Sequence, residues 1–195
     1  VTAARRQIAR AGPRARAVAE ARLALRSGLT KSARTAIANV PAEAASDPSL
    51  LFDRAAAERH AGQDVAAHRL LLQVDPAAMI AGHAARWWAE SNVEARDALS
   101  DGDPRTALAL VEHAGFTAGD EYAEAEFPAG FIALRFLDDP RAARTHFAKL
   151  GAGVSRPISR ARAAYWQGRA DEAMGDKAGA WQQYHLAGGD PDTFY

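Results

Sequence analysis

Two glutamates with one residue between them, Glu124 and Glu126, are the nearest the sequence comes to a paired-carboxylate acid/base arrangement. On a helix, positions two apart point in clearly different directions, so the pair reads as a solvated acidic stretch and not as a general acid with its partner base. Six histidines raise the question of a metal. His60 and His68 are separated by the turn at Gly62, while His83, His113, His146 and His185 stand singly. No His-Glu-x-x-His or comparable ligand spacing occurs, so they read as surface or partly buried helix residues and no metal site is expected. Gly151-Ala152-Gly153 has neither a preceding strand nor a P-loop lysine; it reads as a loop between helices, and no cofactor is expected. The absence of cysteine removes thiolate nucleophiles and thiolate metal sites. Trp87 and Trp88 are adjacent and so cannot both face one core. One is expected to pack between helices; for each, core packing is favoured over an exposed face that stacks on a sugar or a protein partner.

Of the 195 residues, 49 are Ala, more than half of the 48% hydrophobic fraction, so a core of large aliphatic side chains is excluded. Ala is the strongest helix former and lets helices approach closely, whereas the strand formers are sparse. The 24 basic residues balance the 24 acidic ones, which argues against a general nucleic-acid or anionic-membrane binder. A basic stretch from Arg5 to Arg34 holds eight Arg and one Lys against Glu20 alone; a solvated helical face is favoured over a polyanion-facing one. Apolar runs fall far short of the roughly 20 residues a membrane span needs, so no membrane span is expected. The chain starts at Val1, and the first 16 residues have no apolar signal core, so any secretory signal is expected to have been removed or to lie outside this sequence.

An internal repeat supplies the elements. A turn Gly or Asp is followed five residues later by Ala at five places, giving Ala33, Ala67, Ala107, Ala143 and Ala180, spaced by 34, 40, 36 and 37 residues. Four residues after each stands a larger side chain: Ile37, Leu71, Val111, Phe147 and Tyr184. Twelve residues before it stands a small one, Ala21, Ala55, Ala95 or Gly168; in the fourth unit this position is Phe131, with Gly130 beside it. The spacing predicts helical hairpins over 14–27 and 30–40, 49–61 and 64–73, 77–100 and 104–113, 121–136 and 140–149, and 158–174 and 177–187. The helix over 77–100 is expected to be interrupted, if anywhere, at Ser91-Asn92. Asp75-Pro76, Asp103-Pro104 and Asp139-Pro140 offer a capping carboxylate followed by Pro at the first helical position. The expected fold is all-α: a right-handed α-solenoid of about five tetratricopeptide-like hairpins, forming one region over 1–195. The fifth unit comes nearest to a tetratricopeptide repeat through Gly168, Ala180, Tyr184 and Ala187, although Ala164 and Asp171 occupy two positions that are usually large.

From about residue 83 the sequence resembles the superhelical domain of soluble lytic murein transglycosylases. The resemblance rests on Arg86-Trp87-Trp88 with Glu90, on Arg96-Asp97-Ala98-Leu99, and on Ala123 to Phe127 followed by Ala129 to Leu137. It is strongest at Pro157 to Ala163 and at Tyr165-Trp166-Gln167-Gly168-Arg169-Ala170, and it ends at Thr193-Phe194-Tyr195, which looks like the start of that family's Phe-Tyr-Gly-Gln segment. The resemblance implies a periplasmic scaffold whose partners are peptidoglycan glycan strands, reached through the parent enzyme, a downstream catalytic domain, and periplasmic proteins. It also implies that glycan cleavage belongs to a separate lysozyme-like domain downstream, with one catalytic Glu followed by Ser and then a Gly-x-Met-Gln segment. The only Glu-Ser here is Glu90-Ser91, and neither Met79 nor Met174 lies in a Gly-x-Met-Gln sequence, so no catalytic residue is assigned and this chain is expected to be inactive. A tetratricopeptide-like protein-binding scaffold unconnected with cell walls is the competing class, since solenoids serve both.

Overall fold

The computed structural model describes residues 6–189, which are α-helical with short connections and contain no strand. The helices are α1 (Pro13–Leu25), α2 (Lys31–Ala38), α3 (Pro48–His60), α4 (Asp64–Leu71), α5 (Pro76–Ser100), α6 (Pro104–His113), α7 (Asp120–Phe136), α8 (Pro140–Gly153), α9 (Pro157–Ala173) and α10 (Lys177–Ala187), with a 3-10 turn at Ala42–Ala44. The protein is an all-α chain of solenoid-like helical hairpins. It divides into two compact units, Val1–His83 and Ala84–Tyr195. The division falls inside α5, where His83 leaves helical geometry (φ −147°, ψ 33°). The break is therefore at Gly82-His83 and not at Ser91-Asn92. Glycine costs a helix about 1 kcal/mol relative to alanine, more than serine or asparagine does, and Ser91 is buried within the intact part of the helix.

In the first unit, α1 packs on α2 and α3 on α4. Ala21, Leu25, Ala33, Leu50 and Ala57 form its core. Thr30 and Asp47 cap α2 and α3 by accepting from the backbone N–H groups of Ala33 (3.2 Å) and Leu50 (3.0 Å). Arg22 crosses to Asp53 at 2.8 Å, and Arg14 donates to the Glu43 carbonyl at 2.8 Å. Part of the basic stretch thus serves local structure; Arg5 lies outside the described residues.

In the second unit, Asp103, Asp139 and Asp176 cap α6, α8 and α10, each accepting from the backbone N–H three residues on. The repeat alanines Ala107, Ala143 and Ala180 are buried. In the last two hairpins a glycine on the preceding helix receives the larger side chain that follows the repeat alanine. A Cβ at Gly130 would lie 2.7 Å from the Phe147 ring, and one at Gly168 would lie 2.6 Å from Tyr184. In the opposite sense, Gly153 on α8 leaves room for Tyr122 of the preceding α7, whose ring a Cβ there would meet at 2.7 Å. The expectation that Gly151-Ala152-Gly153 is a loop is therefore corrected. These residues end α8, and their glycines are there because Tyr122 and Ala163 approach the helix surface closely.

Candidate functional site

In the second unit the Ala84–Ser100 part of α5 meets α6, α7 and α9 around a cavity of about 480 Å³. Its walls are apolar, with Trp88, Phe127, Phe131 and Ile132 among them, and its polar groups are Asn92, Arg96, Glu124 and Arg162. Phe127 and Phe131, one helical turn apart on α7, stack with centroids 6.3 Å apart and planes 23° apart. Trp166 closes on both edge-on at 6.0 and 5.4 Å and lies 5.7 Å from Phe147. These rings continue into the core of Ala133, Ala143, Phe147, Leu150, Ala163 and Ala170, which holds that wall of the cavity in place.

Both adjacent tryptophans pack in the core, the favoured reading for each, and the alternative of an exposed stacking face is not met: Trp87 is 0% and Trp88 5% exposed. Adjacent helical positions can both be buried where neighbours cover two sides of the helix. Trp87 donates its indole N–H to the Ala114 carbonyl (2.9 Å), whereas Trp88 packs edge-on to Phe116 and donates to Glu124 Oε2 at 2.6 Å. Neither offers a free face for stacking on a glycan; Trp88 contributes only the cavity wall. The exposed tryptophan is Trp181, 61% exposed and stacked on His185 at 3.6 Å between centroids.

The acidic stretch is likewise not simply solvated. Glu124 accepts from Trp88, and Glu126, with its side chain 12% exposed, accepts from His146 Nδ1 at 2.7 Å. The other imidazole nitrogen of His146 lies 3.3 Å from Glu112 Oε1. His146 on α8 thus joins α6 and α7 through two carboxylates. The two glutamates do point apart, as helical geometry requires, and each finds a different donor. Glu90 is half-buried on α5 and Ser91 buried beside it. His68 is buried in α4, and His113 packs edge-on to Trp87 at 6.3 Å. Among the described residues no three His, Asp or Glu side chains converge as metal ligands, and no helix is long and apolar enough to cross a membrane.

Sequence reasoning missed two features. The first is the cavity: its polar and aromatic residues come from three helices, and no periodicity announces that they meet. The second is Asp171, which occupies a position expected to be large and apolar yet is 0% exposed, with Oδ1 accepting from Arg144 Nε at 2.5 Å.

At the last hairpin, Tyr184 donates to Glu172 Oε2 at 2.6 Å while lying over Gly168. Burial first, and then the bond to Glu172, push its phenol well above its usual value of 10.0. Because the folded state holds this proton more tightly, its contribution is complete below about pH 10. It is lost as the pH climbs from there toward the folded value, since the unfolded chain ionises first. Thermal melts between pH 9 and 11 should therefore show a falling midpoint. Tyr184→Phe should fall less steeply, and an unchanged slope would remove Tyr184 from that account. Tyr122, also raised by burial and by Glu126, accounts for a remaining slope.

No family model matches the chain, and no curated protein matches it. A solved structure, that of BtubC (BKLC) from P. vanneervenii, is similar at 14% identity, covering 89% of this chain and 77% of that chain with a TM-score of 0.48. A likeness of that degree concerns the helical fold and carries nothing about function.

Proposed function

We propose that this chain is the non-catalytic superhelical scaffold of a lytic murein transglycosylase, whose separate lysozyme-like domain cleaves the MurNAc-GlcNAc bond and leaves 1,6-anhydro-MurNAc ends. The observation that carries the reading is the run Pro157 to Ala163 with Tyr165 to Ala170, which resembles that family's segment and spans most of α9. Packing gives several of these residues a purpose. Ala161, Ala163, Ala164 and Ala170 are buried, Gly168 receives Tyr184, and Trp166 closes the aromatic cluster against α7 and α8. Thr193-Phe194-Tyr195, the last segment of the resemblance, lies outside the described residues.

The parent reaction needs a carboxylic acid that can reach a glycosidic oxygen in a cleft gripping several sugars, after which the substrate's own C6 hydroxyl closes the anhydro ring. The best-placed carboxylates of this chain are otherwise engaged: Glu124 by Trp88, Glu126 by His146 and Asp171 by Arg144. In this reading the chemistry belongs to the separate lysozyme-like domain that the resemblance implies. The test is digestion of purified peptidoglycan with product analysis by mass spectrometry. A longer gene product that continues past Tyr195 should release 1,6-anhydro muropeptides, and the 195-residue chain none. A continuation without a Glu-Ser motif, or with no such release, would overturn the reading in favour of a protein-binding scaffold.

A further inference from the structure

The cavity of the second unit carries an unbalanced charge. Its two guanidinium groups, Arg96 and Arg162, have no hydrogen-bond or ion-pair partner among the described residues. Its one carboxylate, Glu124, is already bonded to the Trp88 indole. Arg96 is exposed and solvated. Arg162 is different: its Nε is sealed from water without an acceptor, and its guanidinium carbon lies 4.6 Å above the centre of the Phe127 ring. A cation held on an aromatic face has part of its desolvation offset by the ring, yet it still lacks the charge-assisted hydrogen bonds that a guanidinium makes most strongly with a planar carboxylate. The rest of the wall, with Trp88, Phe131 and Ile132, is apolar and, at about 480 Å³, of a size that suits a small organic ligand.

We propose that this cavity binds a small carboxylate that carries an aromatic or branched apolar group. The carboxylate meets the Arg162 guanidinium, with Arg96 adding positive potential at the rim, and the apolar group packs against Phe131 and Trp88. The site lies wholly within Ala84–Tyr195 and does not depend on the chain's belonging to a cell-wall enzyme. It also explains why arginine, and not a further alanine, stands at position 162 among the buried alanines Ala161, Ala163 and Ala164.

The test is calorimetric titration of the intact chain with N-acetyl-L-phenylalanine and with its neutral amide. The acid should bind saturably with a Kd of about 1 mM or tighter, and the amide about tenfold or more weakly. Arg162→Met should bring the acid down to the level of the amide. Arg162→Lys, which keeps the charge and loses the fork, should fall between. Equal affinity for acid and amide, no saturation by the acid at about 10 mM, or unchanged affinity in an Arg162→Met protein with the parent circular dichroism spectrum would each overturn the proposal. If Arg162→Met fails to fold, the comparison of acid and amide on the unaltered chain decides alone.

Discussion

Arg144→Met is expected to lower the stability of the second unit by about 3 kcal/mol, although more than two-fifths of the Arg144 side chain is in water. The loss arises at the other end of the pair. Asp171 is completely buried in α9, one of its oxygens is bonded to Arg144 Nε, and the other has no partner among the described residues. Removing the guanidinium leaves a buried carboxylate with neither counter-charge nor donor, a situation that typically costs about 3–5 kcal/mol. The exposure of Arg144 places the expectation at the lower end, because water can partly replace it. For a chain of this size, about 3 kcal/mol corresponds to a fall in Tm of roughly 6–12 °C. The double variant Arg144→Met/Asp171→Leu should recover most of that loss, since a packed apolar pair is commonly at least as stable as a buried ion pair. Chemical denaturation of the four proteins of the cycle measures this directly. A loss below about 1 kcal/mol in the single variant would mean that the pair behaves as an ordinary surface ion pair.

The same residue shows where the sequence could be read and where it could not. A repeat of small residues reveals helices that must approach closely, and that signal located each hairpin to within a few residues. Ala107, Ala143 and Ala180 are buried as the spacing requires, and Gly168 faces Tyr184. Even the irregular fourth unit obeys the rule one residue displaced, with Gly130 beneath Phe147 while Phe131 turns to the cavity. What periodicity cannot carry is the partner of a side chain on another helix. Asp171 looked like a defect in the repeat because Arg144, 27 residues earlier, is not linked to it by any spacing rule. Glu126 looked solvated for the same reason, its partner His146 being on the next helix. Gly151 and Gly153 failed in the opposite sense: glycine is strong loop punctuation, but here close approach of Tyr122 and Ala163 outweighs the backbone entropy that glycine costs a helix. The cavity is the extreme case, since its walls come from four helices, each reading as ordinary core or surface when taken singly.

Trp87 and Trp88, indistinguishable by sequence, should separate sharply on substitution. Trp87→Ala is expected to cost about 3–5 kcal/mol, the range for truncating a large, fully buried aromatic, which is a major fraction of the 5–15 kcal/mol that holds a typical domain together. Trp87→Phe should retain much of the packing and lose about 1–3 kcal/mol. It withdraws the indole N–H from the Ala114 carbonyl at the C-terminal end of α6, where the last carbonyls of a helix have no partner within it. Trp88→Phe should cost less than Trp87→Phe: the group it abandons, Glu124, is an exposed carboxylate that water can solvate, whereas the Trp87 hydrogen bond is buried. Urea denaturation of the three variants tests the order. Equal losses for the two phenylalanine substitutions would show that the burial of the Ala114 bond does not set the difference. If Trp88→Phe proved the more damaging, Glu124 would have to depend on the indole for more than one hydrogen bond, and the cavity wall, not the α5–α6 junction, would be the more sensitive part of the second unit.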